Sequence, residues 1–301
     1  MPSLQMENLK NIMRQMMAAG LTPQFDGNID PAKLRGIVQA SQARMPAIPG
    51  VRFERGEMAG VETEWSIPEN ARQDAIIMYI HGGGLVCGTA ETSRGYASML
   101  AVETNLPVLS LTYRLVPEHP YPAASEDCFA VYQEVLKQHP GKPVFLIGES
   151  GGAVLSIVTT LKARDTHVTI PAGVVLYSPP LEFYGAIDRN HPNNEDFTVT
   201  PEGLLSLGRM YYTSESQYID PYATPYYADY TGFPPVYLSW DEHESLAVDA
   251  GILKEKLLTA GVEVEAKSFP HCFHAFATAG KGTPESAEVL ADTVVFFSKH
   301  I

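Results

Sequence analysis

Apolar and polar positions follow two different periods along this chain, and the change from one to the other marks its elements. Residues 4–19 and about 31–45 repeat apolar positions at helical spacing, whereas residues 51–57 and 60–67 predict a pair of antiparallel strands. From residue 75 onward, helical patterns alternate with short apolar runs typical of buried strands, at residues 75–80, 108–111, 143–147, 174–177, 235–240 and 262–268. This alternation predicts an α/β fold, in which helices flank a mostly parallel sheet.

The most informative motif lies between a predicted strand and a predicted helix in the middle of the chain. Gly148-Glu149-Ser150-Gly151-Gly152 follows the apolar run at 143–147 and precedes a helical pattern at 153–163. A G-x-S-x-G turn in this context predicts a nucleophile elbow, in which the serine takes a strained backbone conformation and projects above the sheet. An ordinary glycine-rich turn is the alternative, because glycine and serine are common residues.

Consecutive glycines follow the apolar run at 75–80. The chain reads His81-Gly82-Gly83-Gly84 at this point. Glycines let backbone N–H groups come close to a ligand, and each such donor stabilises the oxyanion of an acyl-transfer reaction by about 3–4 kcal/mol. We therefore expect the N–H groups of Gly83, Gly84 and Gly151 to form an oxyanion hole. For His81 we expect a role in orienting the glycine loop rather than a catalytic one.

A base for the serine is predicted near the C-terminus. The loop after residues 262–268 contains two histidines, His271 and His274, well downstream of Ser150. This position fits the chain order serine, acid, histidine of α/β hydrolases. We choose His274, which is followed by a small residue and an aromatic one, and keep His271 as the alternative.

Four separated motifs together resemble one family. They are the HGGG stretch at 81–84, the GESGG turn at 148–152, the loop of His274, and Tyr113-Arg114-Leu115-Val116-Pro117-Glu118-His119-Pro120-Tyr121-Pro122-Ala123-Ala124. In their order and spacing, about residues 50–301 resemble the hormone-sensitive-lipase-like family of bacterial esterases. The resemblance implies an α/β-hydrolase fold with a helical cap and cofactor-free ester hydrolysis by a serine–acid–histidine triad. One departure concerns the elbow, because the family commonly has Gly-Asp-Ser-Ala-Gly-Gly where this chain has Glu149 and Gly151.

The acid of the implied triad is the least defined member. After the strand predicted at 235–240 the chain reads Asp241-Glu242-His243-Glu244-Ser245-Leu246. The resemblance implies an acid two residues before a leucine, and this selects Glu244. Its role would be to accept a hydrogen bond from His274 and so fix the tautomer of the ring. Asp241, Glu242 and Asp249 stay open as alternatives.

The regular pattern breaks between residues 182 and 221, where a cap inserted into the fold is expected. We expect a single α/β-hydrolase domain over residues 1–301, with a cap of about 1–48 and 183–215 and a catalytic core of about 49–182 and 216–301. Aromatic residues of the cap would either line a compact acyl pocket or only join cap and core: Phe183, Tyr184, Phe197, Tyr211 and Tyr212. A covered pocket favours short acyl chains.

Charge and composition argue against several other classes of protein. The formal net charge of −14 and the lack of a Lys/Arg cluster disfavour nucleic acid and anionic lipid surfaces as partners. The histidines and cysteines lack the spacing of metal ligands, so we expect neither a metal nor a cofactor. Cys87, Cys128 and Cys272 are expected to be reduced thiols.

Targeting signals and membrane spans are also missing from the pattern. The first residues are not a basic-then-apolar leader and no window has the length of a membrane span, so a cytoplasmic protein without membrane contact is expected. The expected partner is a small-molecule ester. Alternation at residues 262–266 would permit a homodimer through an edge strand, although charged residues also protect such edges from pairing.

The sequence therefore predicts a serine carboxylesterase that cleaves short-chain acyl esters through Ser150, Glu244 and His274. Its activity is expected to rise with pH through an apparent pKa of about 6–7, as the histidine loses its proton. A lactone or carbamate hydrolase with the same triad is the alternative. A ligand-binding member of the fold would be expected to lack the histidine, and a peptidase to carry a further binding domain.

Overall fold

An eight-stranded sheet forms the centre of the computed structural model, which describes residues 1–42 and 48–301. Its strands are β1 (Val51–Met58), β2 (Val61–Pro68), β3 (Ile76–Ile80), β4 (Val108–Thr112), β5 (Val144–Glu149), β6 (Gly173–Tyr177), β7 (Val236–Asp241) and β8 (Val264–Phe269). In space they follow the order β1-β2-β4-β3-β5-β6-β7-β8. β2 pairs antiparallel with both β1 and β4, and every other pair is parallel.

Helices cover both faces of this sheet. They are α1 (Leu4–Ala18), α2 (Pro31–Gln42), α3 (Arg94–Thr104), α4 (Ala123–Gln138), α5 (Gly151–Asp165), α6 (Pro201–Tyr211), α7 (Ala247–Thr259) and α8 (Pro284–His300). Successive side chains of a strand point to opposite faces, so β3 contributes to two separate cores. Ile76, Met78 and Ile80 pack with α4, α5 and α7, whereas Ile77 and Tyr79 pack with α1, α3 and α8. This explains why β3 is apolar at every position.

The sheet confirms the fold class expected from the hydrophobic pattern, including the antiparallel pair before the parallel strands. The helices α3, α7 and α8 were not among the predicted elements. The second predicted helix was drawn to about residue 45; the structure describes it as Pro31–Gln42, and residues 43–45 lie outside the described residues.

Two distant segments of the expected cap contact each other. The backbone N–H of Phe25, in the segment between α1 and α2, donates to the Thr198 carbonyl at 2.9 Å, and the N–H of Thr200 donates back to Phe25 at 2.9 Å. The Ser206 hydroxyl on α6 donates to the Gly27 carbonyl at 3.0 Å. The N-terminal segment and the segment before α6 are therefore joined, while the exact cap boundaries stay a prediction.

β8 lies at one edge of the sheet, where a homodimer remains a prediction. On this edge Lys299 contacts the carboxylates of Glu263 and Glu265 at 2.5 and 2.7 Å. Within the described residues, none of the helices combines the length and apolarity that crossing a bilayer requires.

Candidate active site

Ser150 occupies the sharp turn between β5 and α5. Its backbone has φ 53° and ψ −122°, in the positive-φ region that costs a non-glycine residue about 1–3 kcal/mol. The neighbouring glycines make this turn possible, because a Cβ atom on Gly148 would collide with the Gly152 carbonyl and one on Gly152 with the Ile80 carbonyl. The turn has the geometry of a nucleophile elbow, and α5 begins directly after the serine.

The glycine loop after β3 lies against this elbow. Gly83 and Gly84 have φ values of 91° and 60°, which glycine adopts without strain. A Cβ atom built on Gly151 would lie 3.4 Å from the Gly84 nitrogen and 3.1 Å from the Leu85 nitrogen. The N–H groups of Gly83 and Gly84 donate no hydrogen bond to another group of the described chain. These donors are therefore available beside the serine, as an oxyanion hole requires.

His81 is buried beneath this loop. Its Nδ1 lies 2.8 Å from the carbonyl of Gly82, and its ring stacks on Tyr113 with the centroids 4.3 Å apart. The Tyr113 hydroxyl donates to the His81 carbonyl at 2.8 Å. Burial lowers the pKa of His81 to about 4, so the ring is neutral at physiological pH. These contacts suit the orienting role predicted for His81.

His274 contacts one of the predicted acids directly. Its Nδ1 lies 2.6 Å from Oε2 of Glu244, whose side chain is fully buried. Oε1 of Glu244 accepts the backbone N–H of Asp241 at 3.2 Å. The other ring nitrogen of His274, Nε2, is buried and has no hydrogen-bond partner among the described residues. The ring is thus fixed on one side and free on the other.

The carboxyl ends of β5 and β6 bring the elbow and the histidine loop together. The N–H of Ser150 donates to the Tyr177 carbonyl at 2.9 Å. The next residue, Ser178, accepts the N–H of Ala275 through its hydroxyl at 3.0 Å. Two consecutive residues therefore hold the serine turn and the residue after His274. This contribution of Ser178 was not predicted from the sequence.

The two groups of the buried pair influence each other's protonation. Burial raises the pKa of Glu244, and the attraction of His274 only partly offsets this. For His274, burial by itself lowers the pKa, but the charge of Glu244 and the hydrogen bond to it outweigh burial, so that the pKa of His274 is raised above its ordinary value. Glu244 therefore favours a protonated imidazole, which is the form that a general base reaches during catalysis.

The other candidate acids and the other candidate base have different partners. Oδ1 of Asp241 accepts the N–H of Cys272 at 3.0 Å, which holds the histidine loop. Glu242 is exposed and accepts the Ser268 hydroxyl at 2.8 Å, and Asp249 is paired with Arg189 at 2.7 Å. The Nδ1 of His271 lies 3.2 Å from Glu195, and its ring stacks on His243.

Further residues at the site were not predicted from the sequence. Asp196 has a carboxylate oxygen within 4.8 Å of the ligand atoms of Glu244 and His274, and no local pattern distinguishes it within its polar stretch. Lys10 is buried on α1, and its Nζ donates to the His271 carbonyl at 2.7 Å. A signal for Lys10 was present, because it lies one helical turn after the buried Met6 on the same face.

The cap covers the glycine loop. A Cβ atom on Gly84 would lie 2.9 Å from side-chain atoms of Leu207 on α6 and of Phe25. Beside the loop, Val38 of α2 and Glu149 line a cavity of about 180 Å³. The cap aromatics pack on one another and on the core: Phe183 on Tyr211, Tyr184 on Tyr212, and Phe197 on Phe273. Such contacts are of the kind expected if these rings join cap and core.

The fold and the site geometry are those of an α/β hydrolase, and comparison with known proteins makes the family specific. A family model described as alpha/beta hydrolase fold matches residues 77–278. An esterase of Acinetobacter venetianus is 31% identical over 271 residues, which cover 89% of each chain. An acetyl-hydrolase of Streptomyces hygroscopicus is 35% identical over 216 residues, or 70% of this chain and 71% of that one.

Solved structures agree with these relatives. The crystal structure of an esterase from the bacterial hormone-sensitive lipase family superimposes with a TM-score of 0.90 at 28% identity, covering 100% of this chain and 99% of that one. A hormone-sensitive lipase from a metagenome library gives a TM-score of 0.87 at 28% identity, with 97% and 99% covered. The chain therefore belongs to the hormone-sensitive-lipase family of α/β hydrolases.

Proposed function

We propose that this protein hydrolyses short-chain carboxylic esters, with Ser150 as nucleophile, His274 as general base and Glu244 as the acid of the triad. The observation that carries the proposal is the buried contact of 2.6 Å between His274 and Glu244. The loop that carries His274 is held by Ser178, and the preceding residue, Tyr177, holds the Ser150 turn. The names of the relatives, which include esterase and acetyl-hydrolase, support the same reaction class.

In the first half of the reaction, the Ser150 hydroxyl attacks the ester carbonyl while Nε2 of His274 takes its proton. Nε2 of His274 can take this proton because it has no partner among the described residues, whereas Nδ1 is already paired with Glu244. Glu244 holds the tautomer that leaves Nε2 unprotonated and then stabilises the imidazolium. The imidazolium gives its proton to the departing alcohol, and the acyl group stays on the serine oxygen.

In the second half, water attacks the acyl-enzyme by the same route. His274 takes a proton from the water, and a second tetrahedral oxyanion forms. When it collapses, the bond between the acyl carbon and the Ser150 oxygen breaks, His274 returns its proton to that oxygen, and the acid is released. In both halves the negative oxygen would lie against the N–H groups of Gly83, Gly84 and Gly151. Each correctly aimed donor lowers the barrier by about 3–4 kcal/mol, provided that the loop is held in place before the substrate binds.

The preference for short acyl chains follows from the cover over the site. Phe25 and Leu207 of the expected cap lie against Gly84, one of the expected oxyanion donors. A long acyl chain would have to displace these side chains, whereas an acetyl or butyryl group would not. We therefore expect the rate to decline steeply with chain length.

The test is hydrolysis of p-nitrophenyl esters from acetyl to palmitoyl by the wild type and by Ser150→Ala. We expect a short-chain optimum and a loss of roughly 10⁴-fold or more in the variant. Circular dichroism and thermal melting would establish that the variant is folded. If the folded wild type cleaves none of these esters, the proposed function is wrong, and a ligand-binding role should be tested. An optimum at palmitoyl would contradict the chain-length part alone.

A further inference from the structure

Glu149, the residue before the nucleophile, has a role that the triad does not explain. Its Oε1 accepts the backbone N–H of Gly82 at 2.7 Å, so the elbow and the glycine loop are directly joined through this side chain. A Cβ atom on Gly82 would lie 2.9 Å from the Glu149 carbonyl and 3.1 Å from Oε1, so the two segments are in close contact. The loop that carries Gly83 and Gly84 is thereby held against the serine turn.

The second oxygen of this carboxyl group is different. Oε2 is buried and has no hydrogen-bond partner within 3.5 Å among the described residues, although the Tyr79 hydroxyl is close enough to lower the pKa of this carboxyl group. A carboxyl group that only held the loop could be replaced by an amide, which accepts the same hydrogen bond without the cost of burying a charge. Burial raises the pKa of Glu149 to about 7, and the hydrogen bond from Gly82 works in the opposite direction. The carboxyl group therefore places a titratable charge beside the serine turn, where an amide would place none.

His274 is the group whose protonation responds to that charge. Burial lowers the pKa of His274, Glu244 raises it by its charge and its hydrogen bond, and the charges of Asp196 and then of Glu149 raise it further. The charge of Glu149 also raises the pKa of four tyrosines, which lie on β3, on α3, directly after β4 and on β6: Tyr79, Tyr96, Tyr113 and Tyr177. Burial raises the pKa of each of these tyrosines, so they stay neutral and leave His274 as the cation that Glu149 can stabilise.

We propose that Glu149 is a positioning residue that holds the oxyanion loop against the nucleophile elbow through Gly82 and whose negative charge stabilises protonated His274 in the transition state. This inference rests on the proposed function, because it needs the serine and the histidine to act as nucleophile and base. Glu149 itself exchanges no proton with the substrate. It fixes where the N–H groups of Gly83 and Gly84 lie and favours the imidazolium that forms when Ser150 attacks.

Three substitutions separate the hydrogen bond from the charge. Glu149→Gln keeps the length and an acceptor for Gly82 but removes the charge, Glu149→Asp keeps the charge on a shorter stem, and Glu149→Ala removes both. The matched control is Glu69→Gln, since Glu69 is an exposed glutamate that directly follows a strand, as Glu149 ends one. For each variant, kcat and KM for p-nitrophenyl butyrate are measured from pH 5 to 9, together with the melting temperature.

We expect Glu149→Ala to lose about 10²-fold or more in kcat with little change in KM, because a misplaced oxyanion loop weakens only the transition state. Glu149→Gln should lose less. Its acidic limb of kcat/KM should move to lower pH by on the order of half a unit, since His274 loses a charge that favours its protonated form. Glu69→Gln should match the wild type in all of these measurements. A structural role alone would change the melting temperature without moving the pH profile.

Several results would overturn the inference. One is a Glu149→Gln profile that superimposes on the wild type; another is a folded Glu149→Ala that keeps kcat within about twofold, which is far below the loss expected for one misaligned donor. A rise in KM at constant kcat would instead make Glu149 a substrate contact. If Glu149→Ala fails to fold, the pH profile of kcat/KM for Glu149→Gln decides whether the inference holds. An inactive wild type would contradict the proposed function. An active wild type with unchanged variants would contradict only the role of Glu149.

Discussion

Two buried clusters of carboxylates lie in this protein, and they differ in how completely their polar atoms are paired. In the first, Arg189 lies between Glu182 and Asp249, and it contacts a carboxylate oxygen of each at 2.7 Å. Backbone N–H groups of Tyr184 and Gly185 donate to Oε2 of Glu182 at 2.6 and 2.7 Å, and that of Leu181 donates to Asp249 at 2.8 Å. Each carboxylate oxygen of this cluster has at least one donor.

The second cluster is the candidate active site, and it is left incomplete. His274 has a partner at Nδ1 but none at Nε2 among the described residues, and Glu149 has a partner at Oε1 but none at Oε2. A fully paired buried network fixes a structure, whereas an unpaired buried polar atom costs free energy and calls for an explanation, of which a catalytic role is one. The difference separates a scaffold from a site poised to take up a proton and a substrate. It also predicts that substitutions in the Arg189 cluster lower the free energy of unfolding, whereas substitutions in the candidate active site lower kcat.

The largest effect is expected for the acid of the triad. Replacing Glu244 by alanine should lower kcat by about 10³–10⁴-fold, because His274 loses both its tautomer and the charge that stabilises the imidazolium. The matched variant is Asp241→Ala, which should cost far less, since Asp241 contacts the Cys272 N–H rather than the imidazole. Steady-state kinetics on a short-chain ester decides between them. The reverse ranking would reassign the acid to Asp241.

In the paired cluster, stability rather than catalysis should suffer. Arg189→Met leaves two buried carboxylates without their cation, which typically costs about 3–5 kcal/mol of unfolding free energy. Urea unfolding of Arg189→Met and of the exposed cap residue Arg209→Met would measure this loss against a matched control. We expect kcat per folded active site to stay within a few-fold of the wild type. A loss of kcat with unchanged stability would show that the comparison of the two clusters is wrong.

A smaller effect concerns pH. Free enzyme is active when His274 is neutral, and Glu244 raises the pKa of His274, so kcat/KM should rise with pH through an apparent pKa at or above about 6.5, the ordinary value for histidine. The sign follows because acid adds a proton that a base must lack. His271→Gln is the control and should leave the profile unchanged, since His271 contacts Glu195 instead. A flat profile from pH 5 to 8 with chemistry rate-limiting would count against His274 as the base.

Much of this arrangement could be predicted from the sequence, because it is carried by local patterns. The apolar runs set the strands, and the close contacts around Ser150 and in the HGGG loop leave no room for a Cβ atom at Gly82, Gly83, Gly84, Gly148 or Gly152. His274 and Glu244 were chosen by chain order and by resemblance, and the structure joins these two side chains. The expectation that the cap aromatics join cap and core rested only on the number of aromatic residues in that segment.

The remaining features depend on contacts between segments far apart in the chain, which local patterns do not contain. Ser178 and Ala275 are 97 residues apart, and Glu149 and Gly82 are 67 apart. Arg189 lies in the segment 182–221, where the regular pattern breaks, and its burial could not be predicted because exposed and buried charges look alike in a sequence. Only packing decides whether a charged residue is solvated or paired in the interior.

The smallest expected effect tests whether the N-terminal helix contributes to the site. Lys10 is buried on α1, and its ammonium group donates to the carbonyl of His271, a residue with φ 57° on the loop that carries His274. Lys10→Met removes this donor while keeping most of the apolar stem. We expect a decrease in kcat of a few-fold, about what a loss of one charge-assisted hydrogen bond outside the triad would cause, with KM nearly constant.

Arginine at the same position provides the matched control, because it keeps the charge and a donor. Lys10→Arg should recover most of the lost kcat if the contact with the His271 carbonyl positions the loop, whereas a purely hydrophobic role of α1 would make both variants alike. The two variants also separate α1 from the paired cluster, since neither should lower the melting temperature as Arg189→Met does. If Lys10→Met retains the wild-type kcat, α1 packs against the histidine loop without influencing it, and the incomplete cluster is positioned by the core alone.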